Sequence, residues 1–415
     1  MLKTKLRRIQ RISNKLFGRK PTVHVVWRYL IDRHQSKKSF ERQKERLAQA
    51  CRHPGSPKLA HVTIYSAFNA GDNVLSECVR RLFEMKMGPI DWELIHLFDP
   101  VTDATVARMN DTRGIIIGGG GLFLPDTNAN EVSGWEWACD KRYYSMLTSP
   151  VFVFAVGYNY FKGQKREAFF EENVNALVRM ADFFSLRNQG SIQEVRSFID
   201  RDLWEKIEYQ PCATMVARYL YPDLPAWTET GDIAFNVGMD RIEKRMGGQY
   251  ELVLTQIAHS MKLLAQKGYK LHFITHCDSD IRFIRYLDRE HFKYEYHHAT
   301  TWETRRVLEF YNQMDMVIGM RGHGIWIPFG LNCHILALGN QNKTRWFLED
   351  IGAPDWNVEL LTEPDTLCER ILKKFEDIHE KNGSETTRRL MEAQQRLWKL
   401  TCENLERMIH HIETD

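Results

Sequence analysis

Residues 61–87 read HVTIYSAFNAGDNVLSECVRRLFEMKM, and the fold turns on how this stretch divides. HVTIYSAF (61–68) is a short apolar run rich in β-branched and aromatic residues, which fits a strand. NVLSECVRRLFEMKM (73–87) reads as a helix. Between them NAGD (69–72) supplies Asn and Asp, which cap helices, and a glycine that permits a tight turn. A strand that runs into a helix in this way is the repeating unit of a parallel sheet covered by helices.

The unit recurs along the chain. WELIHLF (92–98), RGIIIGGGGLF (113–123), VFVFAVGYN (151–159) and FFSLRN (183–188) read as further strands of a first series. A second series runs GDIAFNV (231–237), KLHFITHC (270–277), FKYEYHHA (292–299), DMVIGM (315–320) and CHILALG (333–339). Helical stretches separate these strands, among them YELVLTQIAHSMKLLAQKG (250–268), which ends at a capping glycine. The stretch PDLPAWTET (222–230) breaks the two series. The expected fold is therefore α/β, with two Rossmann-like domains facing across a cleft, a basic N-terminal helix and a helical C-terminal tail. The expected boundaries are a leader and linker over 1–58, a first domain over 59–222, a second over 228–360 and the tail over 361–415.

Composition limits the function classes. The chain has 415 residues, 43% hydrophobic and 27% charged, with 11 tryptophans and 22 phenylalanines, as in a soluble globular protein. No apolar run approaches the roughly 18–20 residues that a membrane-spanning helix needs, and the N-terminus has no signal-peptide core. Eight cysteines are scattered without a CxxC pair, which fits a reducing compartment and a cytoplasmic location. Charge is uneven. Residues 1–60 hold 17 Lys/Arg and three acids, a balance of +14, which leaves the remaining 355 residues at −11 within a chain of net +3. Residues 1–20 have eight basic residues and no acid, with Leu2, Leu6, Ile9, Ile12 and Leu16 spaced as on one helical face. Such a segment either contacts an anionic membrane, here peripherally at its inner face, or stays a solvated leader. Nucleic acid is not expected, because the body is acidic and carries no nucleic-acid motif.

Several strand ends hold residues suited to a ligand. Asn69 and Asp72 follow the first strand; they make an ordinary helix start or line a cleft. Gly119, Gly120 and Gly121 belong to a run of four glycines, more than a plain turn uses, and no Walker lysine follows. Arg187 ends another strand, either as an edge ion pair or as an anion clamp. Arg321 and His323 leave DMVIGM between glycines: arginine offers a fork for phosphate or carboxylate, and histidine exchanges a proton near neutral pH. His276 sits at a strand end beside Asp278 and Asp280, which also serve as helix caps. Lys343 stands at a helix start, where a cation opposes the helix dipole unless an anion is bound. No metal site is expected: there is no HExxH or HxH, and His297–His298 sit in a strand without clustered acids. No GxSxG elbow is present.

Taken in order, N-A-G-D (69–72), I-I-G-G-G-G-L (116–122), A-V-G (155–157), S-L-R-N-x-x-S (185–191), D-x-V-I-x-x-R-x-H (315–323), G-L-N-C-H-I-L-A-L (330–338) and Lys343 resemble the polysaccharide pyruvyl transferase family. The resemblance covers about residues 60–355. It implies a GT-B-like architecture and transfer of the enolpyruvyl group of phosphoenolpyruvate to a sugar, with a ketal pyruvate formed and phosphate released. The acceptor would be a surface polysaccharide or its lipid-linked precursor, and no cofactor is implied beyond phosphoenolpyruvate as donor substrate. Arg321, His323 and Arg187 match the family's catalytic positions. Ser191, His276, Lys343 and the glycine and Asn69/Asp72 loops would bind substrate. The middle of R-x-H is usually bulkier and apolar in the family, whereas here it is Gly322. Two other readings stand beside this one: a GT-B nucleotide-sugar glycosyltransferase, and a non-catalytic relative in polysaccharide assembly.

Overall fold

The computed structural model describes residues 46–414 apart from 48, 52, 66–68, 161–163 and 340. The expected basic helix at 1–20 lies outside the described residues. Among the described residues twelve strands form two sheets. The first holds β1 (Lys58–Thr63), β2 (Asp91–His96), β3 (Ile115–Phe123), β4 (Val151–Tyr158), β5 (Phe183–Leu186) and β6 (Ile207–Tyr209) in the order β2-β1-β3-β4-β5-β6. The second holds β7 (Asp232–Asn236), β8 (Lys270–Thr275), β9 (Glu295–His298), β10 (Met316–Gly319), β11 (His334–Gly339) and β12 (Asn357–Glu359) in the order β12-β11-β10-β7-β8-β9. Every pairing is parallel. The central strands are apolar and buried throughout, β4, β10 and β11 without an exposed position. Strands covered on both faces read as continuous apolar runs for this reason.

Each sheet reverses its direction of growth once. The reversal falls between β1 and β3 in the first sheet and between β7 and β10 in the second. Crevices at the carboxyl ends of strands beside such a reversal are where open α/β sheets bind ligands. The two reversals face one another, so loops from both converge.

The helix Ala70–Met87 starts three residues before the expected 73, inside the NAGD turn, because Asn69 caps it there. Asn69 Oδ1 accepts the Gly71 N–H at 3.0 Å, and Val74, Leu75, Cys78, Val79, Leu82 and Phe83 are buried. The helix Tyr250–Gln266 is followed by Gly268 at φ +100, a left-handed turn suited to glycine. The halves are joined directly: the Ala70 N–H donates to the His276 carbonyl at 3.0 Å, and Asn69 and Cys277 form an isolated antiparallel bridge. A second joint is the tail helix Gly383–Thr414 of 32 residues. Its Gln394 amide donates to the Phe329 carbonyl behind the second sheet, while Asn404 Nδ2 donates to the Tyr209 carbonyl at 2.9 Å beside the first. Among the described residues no helix is long and apolar enough to cross a membrane.

Candidate active site

A cleft of about 380 Å³ opens where the two sheet reversals meet. The first half contributes Asn69 and Asp72 after β1, Gly119 to Gly121 at the end of β3, Asn159 after β4 and Arg187 after β5. The second contributes Asp240 after β7, His276 and Cys277 after β8, Arg321 and His323 after β10, and Lys343 after β11. Ten of the eleven residues singled out in the sequence thus line one cavity. The eleventh, Ser191, is fully buried outside it: its hydroxyl accepts the Tyr158 N–H at 3.0 Å and its own N–H is capped by Asn188. Ser191 therefore holds the start of the helix Gln189–Arg196 against β4.

The cations of the cleft differ in their partners. Arg321 is ion-paired through two of its three nitrogens. Its Nε donates to Asp280 Oδ2 at 2.8 Å, and its Nη2 reaches Asp280 Oδ1 and Asp240 Oδ1 at 2.5 Å each. Asp280 is itself buried and accepts the N–H groups of Met239, His276 and Cys277. Burial works against the charge on Arg321, but Asp280, Cys277 and Asp240 outweigh it and push its pKa well above the ordinary arginine value. Burial likewise opposes ionisation of Asp240, yet Arg321, Arg245 and Lys343 hold its carboxyl at about 2. Arg321 organises this corner as part of a locked ion network.

Arg187 and Lys343 are free of such partners. Arg187 is 2% exposed and forms no ion pair among the described residues. Its Nη2 donates to Asn159 Oδ1 at 2.9 Å, its guanidinium lies 4.6 Å over the Trp326 ring, and its Nε has no acceptor. Burial lowers its pKa to about 10, so it remains a cation at neutral pH. Lys343 also has no carboxylate partner among the described residues. Burial first, then the neighbouring Arg187 and Arg245 charges, pull it down to about 7. Two under-compensated cations facing one cavity make a strong site for an anion.

The glycines explain how Arg187 fits. A Cβ at Gly157 would sit 2.1 Å from Arg187 Nε, and one at Gly121 would sit 1.8 Å from Asn159 Nδ2. Upstream in the same run, Gly118, Gly119 and Gly120 have φ of +128, +77 and +124, values that side chains rarely allow.

His323 lines the same cleft with a carboxylate at hand. Its Nδ1 is 3.4 Å from Asp72 Oδ1, and its Nε2 is 3.9 Å from the Cys212 sulfur. Asn69 Nδ2 donates to the other Asp72 oxygen at 2.7 Å, which fixes the carboxylate. Burial alone would discharge His323, but Asp72 and Cys212 outweigh it and raise its pKa above the ordinary histidine value. Gly71 permits this approach, since a Cβ there would lie 2.5 Å from His323 Cβ. His276 behaves otherwise. Burial and the nearby Arg321 and His323 charges drive it well below the ordinary value, and its Nε2 shares a 2.7 Å hydrogen bond with the Tyr311 hydroxyl. It is a neutral wall of the cleft.

Four functional candidates escaped the sequence reading. Trp326 carries Arg187 on its face and meets the His323 ring edge-on at 5.1 Å. Cys212 is buried, and although burial opposes ionisation, His323 and Thr214 bring its thiol below the ordinary cysteine value. Glu136 lines the cleft, and burial followed by the Asp72 charge raises its carboxyl to about 8, so it is protonated at neutral pH. Asp240 supplies the acidic side of the network. The departure at Gly322 also has a physical reason: a Cβ there would sit 2.9 Å from the Trp326 ring. In this chain the indole, one helical turn on, fills the volume that a bulkier residue 322 would claim.

A model of the polysaccharide pyruvyl transferase family matches residues 69–342, the span from the Asn69 cap to the helix start beside Lys343. The chain belongs to the polysaccharide pyruvyl transferase family. No curated protein matches it. Solved structures resemble it in fold: a glycosyltransferase from Rickettsia africae ESF-5 is 10% identical with a TM-score of 0.52, over 87% of this chain and 100% of that one. S. aureus MnaA, in a co-structure with UDP, is 12% identical with a TM-score of 0.50, over 86% and 96%. These likenesses establish a GT-B-like fold for this pyruvyl transferase family member.

Proposed function

We propose that the protein transfers the enolpyruvyl group of phosphoenolpyruvate to two hydroxyls of one sugar, on a polysaccharide or its lipid-linked precursor. The observation that carries this reading is the pair of cations without carboxylate partners, Arg187 and Lys343, lining one cleft with a histidine whose pKa is raised. Phosphoenolpyruvate carries a phosphate and a carboxylate and so needs two cationic contacts. Arg187 would present its fork to one of them and Lys343 its ammonium to the other.

The charged His323 supplies a proton to the methylene carbon of the donor, and the adjoining carbon becomes oxocarbenium-like. A sugar hydroxyl adds to that carbon and loses its proton. The carbon–oxygen bond to phosphate then breaks, and the second hydroxyl closes the ketal with loss of its proton. One proton of the two returns His323 to its charged form, and the other leaves with phosphate or water. Asp72 steadies the imidazolium throughout, while Glu136, neutral at pH 7, offers a hydrogen-bond donor to the cleft. The arrangement of Asp72, His323 and two cations supports this acid-first order.

The test is direct. Purified full-length protein is incubated with phosphoenolpyruvate and a panel of saccharides carrying vicinal or 4,6-diols, and phosphate release and a pyruvate ketal are measured together. Thermal-shift measurements compare phosphoenolpyruvate with UDP- and GDP-sugars. Stabilisation by a nucleotide sugar and not by phosphoenolpyruvate defeats the proposal in favour of a glycosyltransferase.

A further inference from the structure

Away from the cleft, the second sheet gathers three metal-binding side chains from two strands, and the expectation that His297 has no acid clustered about it does not hold, because Glu295 shares its face and His272 comes from the neighbouring strand. His272 is on β8, and Glu295 and His297 are on the edge strand β9. The register pairs His272 with Glu295, and Ile274 with His297. Alternation along β9 puts Glu295 and His297 on the same face as His272. Their ligand atoms converge: His272 Nδ1 is 2.9 Å from His297 Nε2 and 3.5 Å from Glu295 Oε2, and His297 Nε2 is 3.8 Å from that same oxygen. A tetrahedral ion with bonds of about 2.0–2.1 Å spaces its ligands at about 3.3–3.4 Å, which lies inside this range of separations.

The surroundings are arranged as in a ligand set. Asp232 Oδ1 lies 2.7 Å from His272 Nε2. That contact holds the ring proton on Nε2 and leaves the Nδ1 lone pair directed at His297 and Glu295. A carboxylate on the far nitrogen of a ligating histidine is the usual outer support of a metal site. Glu295 divides its oxygens: Oε1 faces Lys270 at 3.2 Å, while Oε2 faces the two histidines. Lys270 also lies 3.4 Å from Asp232, so it neutralises the outer carboxylate oxygens without entering the ring of ligand atoms. Phe310 packs on His297 with centroids 4.7 Å apart and closes one side. Glu295 is exposed, so water has access to a fourth position.

We propose that His272, Glu295 and His297 bind one divalent transition-metal ion of the zinc class, with water as fourth ligand. The ion clips the edge strand β9 to β8. Without it, His297 Nε2–H donates to His272 Nδ1, and on binding the ring changes tautomer, so that its proton sits on Nδ1 and the Nε2 lone pair faces the ion. A second convergent group among the described residues, Glu229, Asp315 and His379, is a weaker candidate. Both Asp315 oxygens already accept backbone N–H groups, Thr230 at 2.8 Å and Gly231 at 2.6 Å.

The full-length protein, freed of any histidine tag and stripped with a chelator, is titrated with zinc sulfate by calorimetry and with cobalt(II) chloride by visible absorption. Saturable binding of one ion per chain is expected, with tetrahedral cobalt bands and a zinc-dependent rise in melting temperature. His297→Ala and Glu295→Gln, both on the edge strand, are expected to weaken binding at least about tenfold, and Asp232→Asn by about 10–100-fold. Circular dichroism confirms that each variant is folded. No saturable binding to the parent chain overturns the proposal, as does binding unchanged in folded His297→Ala; the two imidazoles are then a hydrogen-bonded pair and nothing more.

Discussion

Lys343 is the residue whose charge depends most on what occupies the cleft. In the free protein its pKa is about 7 because burial and the Arg187 and Arg245 charges disfavour the ammonium. A bound phosphate or carboxylate reverses the balance and restores the charge. Above pH 7, then, binding must draw a proton from solvent, and affinity must fall as pH rises. Calorimetry of phosphoenolpyruvate binding at pH 8, in two buffers of different ionisation enthalpy, is expected to show uptake approaching one proton, and close to none at pH 6. Lys343→Gln should abolish the uptake and weaken binding; uptake that survives this change would assign the proton elsewhere. His323 has the opposite shift. Its pKa is raised, so it carries the transferable proton below that raised value and loses it as pH climbs through it. Asp72→Asn removes a main support of that charge. The alkaline limb of kcat should move to lower pH, whereas an unmoved limb would remove Asp72 from its pairing role. The kcat profile is the one to read, because it reports groups in the bound complex, where the donor keeps Lys343 charged. For Arg187→Lys, which loses the stack on Trp326 and the planar fork, a fall in kcat/KM of about 10²–10³ is expected, the range for losing one pre-positioned transition-state donor.

At the scale of elements, the strand-to-helix turns were legible because each is written in contiguous residues. NAGD specified its own cap, and the alternation of strands and helices the two parallel sheets. Strands β6 and β12 were not legible, because three residues at a sheet edge carry no distinct apolar run. The partners of the site were illegible for another reason. Arg321 looks the same in sequence whether bare or paired, and its carboxylates lie 41 and 81 residues earlier. Cys212 reaches His323 across 111 residues. Trp326 did lie next to the motif, and the signal was the glycine itself: a missing side chain at 322 implies a neighbour that fills its space. The helix Gly322–Phe329 makes that exchange testable. Gly322→Leu alone should clash with the indole, and Trp326→Ala alone should strip Arg187 of its stacking face. In the double variant the leucine can occupy the vacated volume. A double-mutant cycle on kcat/KM and melting temperature should give a favourable coupling of about 1 kcal/mol or more, within the range for residues in contact. Additive losses would mean that the two positions do not share a volume.

For the whole molecule, the question is what keeps two sheets aligned closely enough for residues from both to serve one cavity. The loop contact at Ala70 and Asn69 is short, and the tail helix Gly383–Thr414 is the longer brace. It buries Leu390, Ala393, Leu397, Leu405, Met408 and Ile412 along one face. Polar ties fix its height on both sides. Gln394 holds the Phe329 carbonyl at the end of the helix that carries His323, and Asn404 donates to Gln210 Oε1 at 3.0 Å, while Gln210 Nε2 donates to Thr401 at 3.1 Å. Because the helix spans both sheets, damage at its far end should be felt by both. Leu405→Ala removes a fully buried side chain where the helix lies on the first sheet, at a cost of about 2–5 kcal/mol. If the helix couples the halves, calorimetry will show a single unfolding transition lowered as a unit. Hydrogen exchange will then quicken in β10 and β11 of the second sheet as well as in β5 and β6 of the first. Loosening confined to β5, β6 and the helix itself would mean that the halves are held together by their direct contacts, among them Asn69–Cys277, Asp126 with Arg241 and Lys244, and Gln189 with Asp350, and that the tail merely covers them.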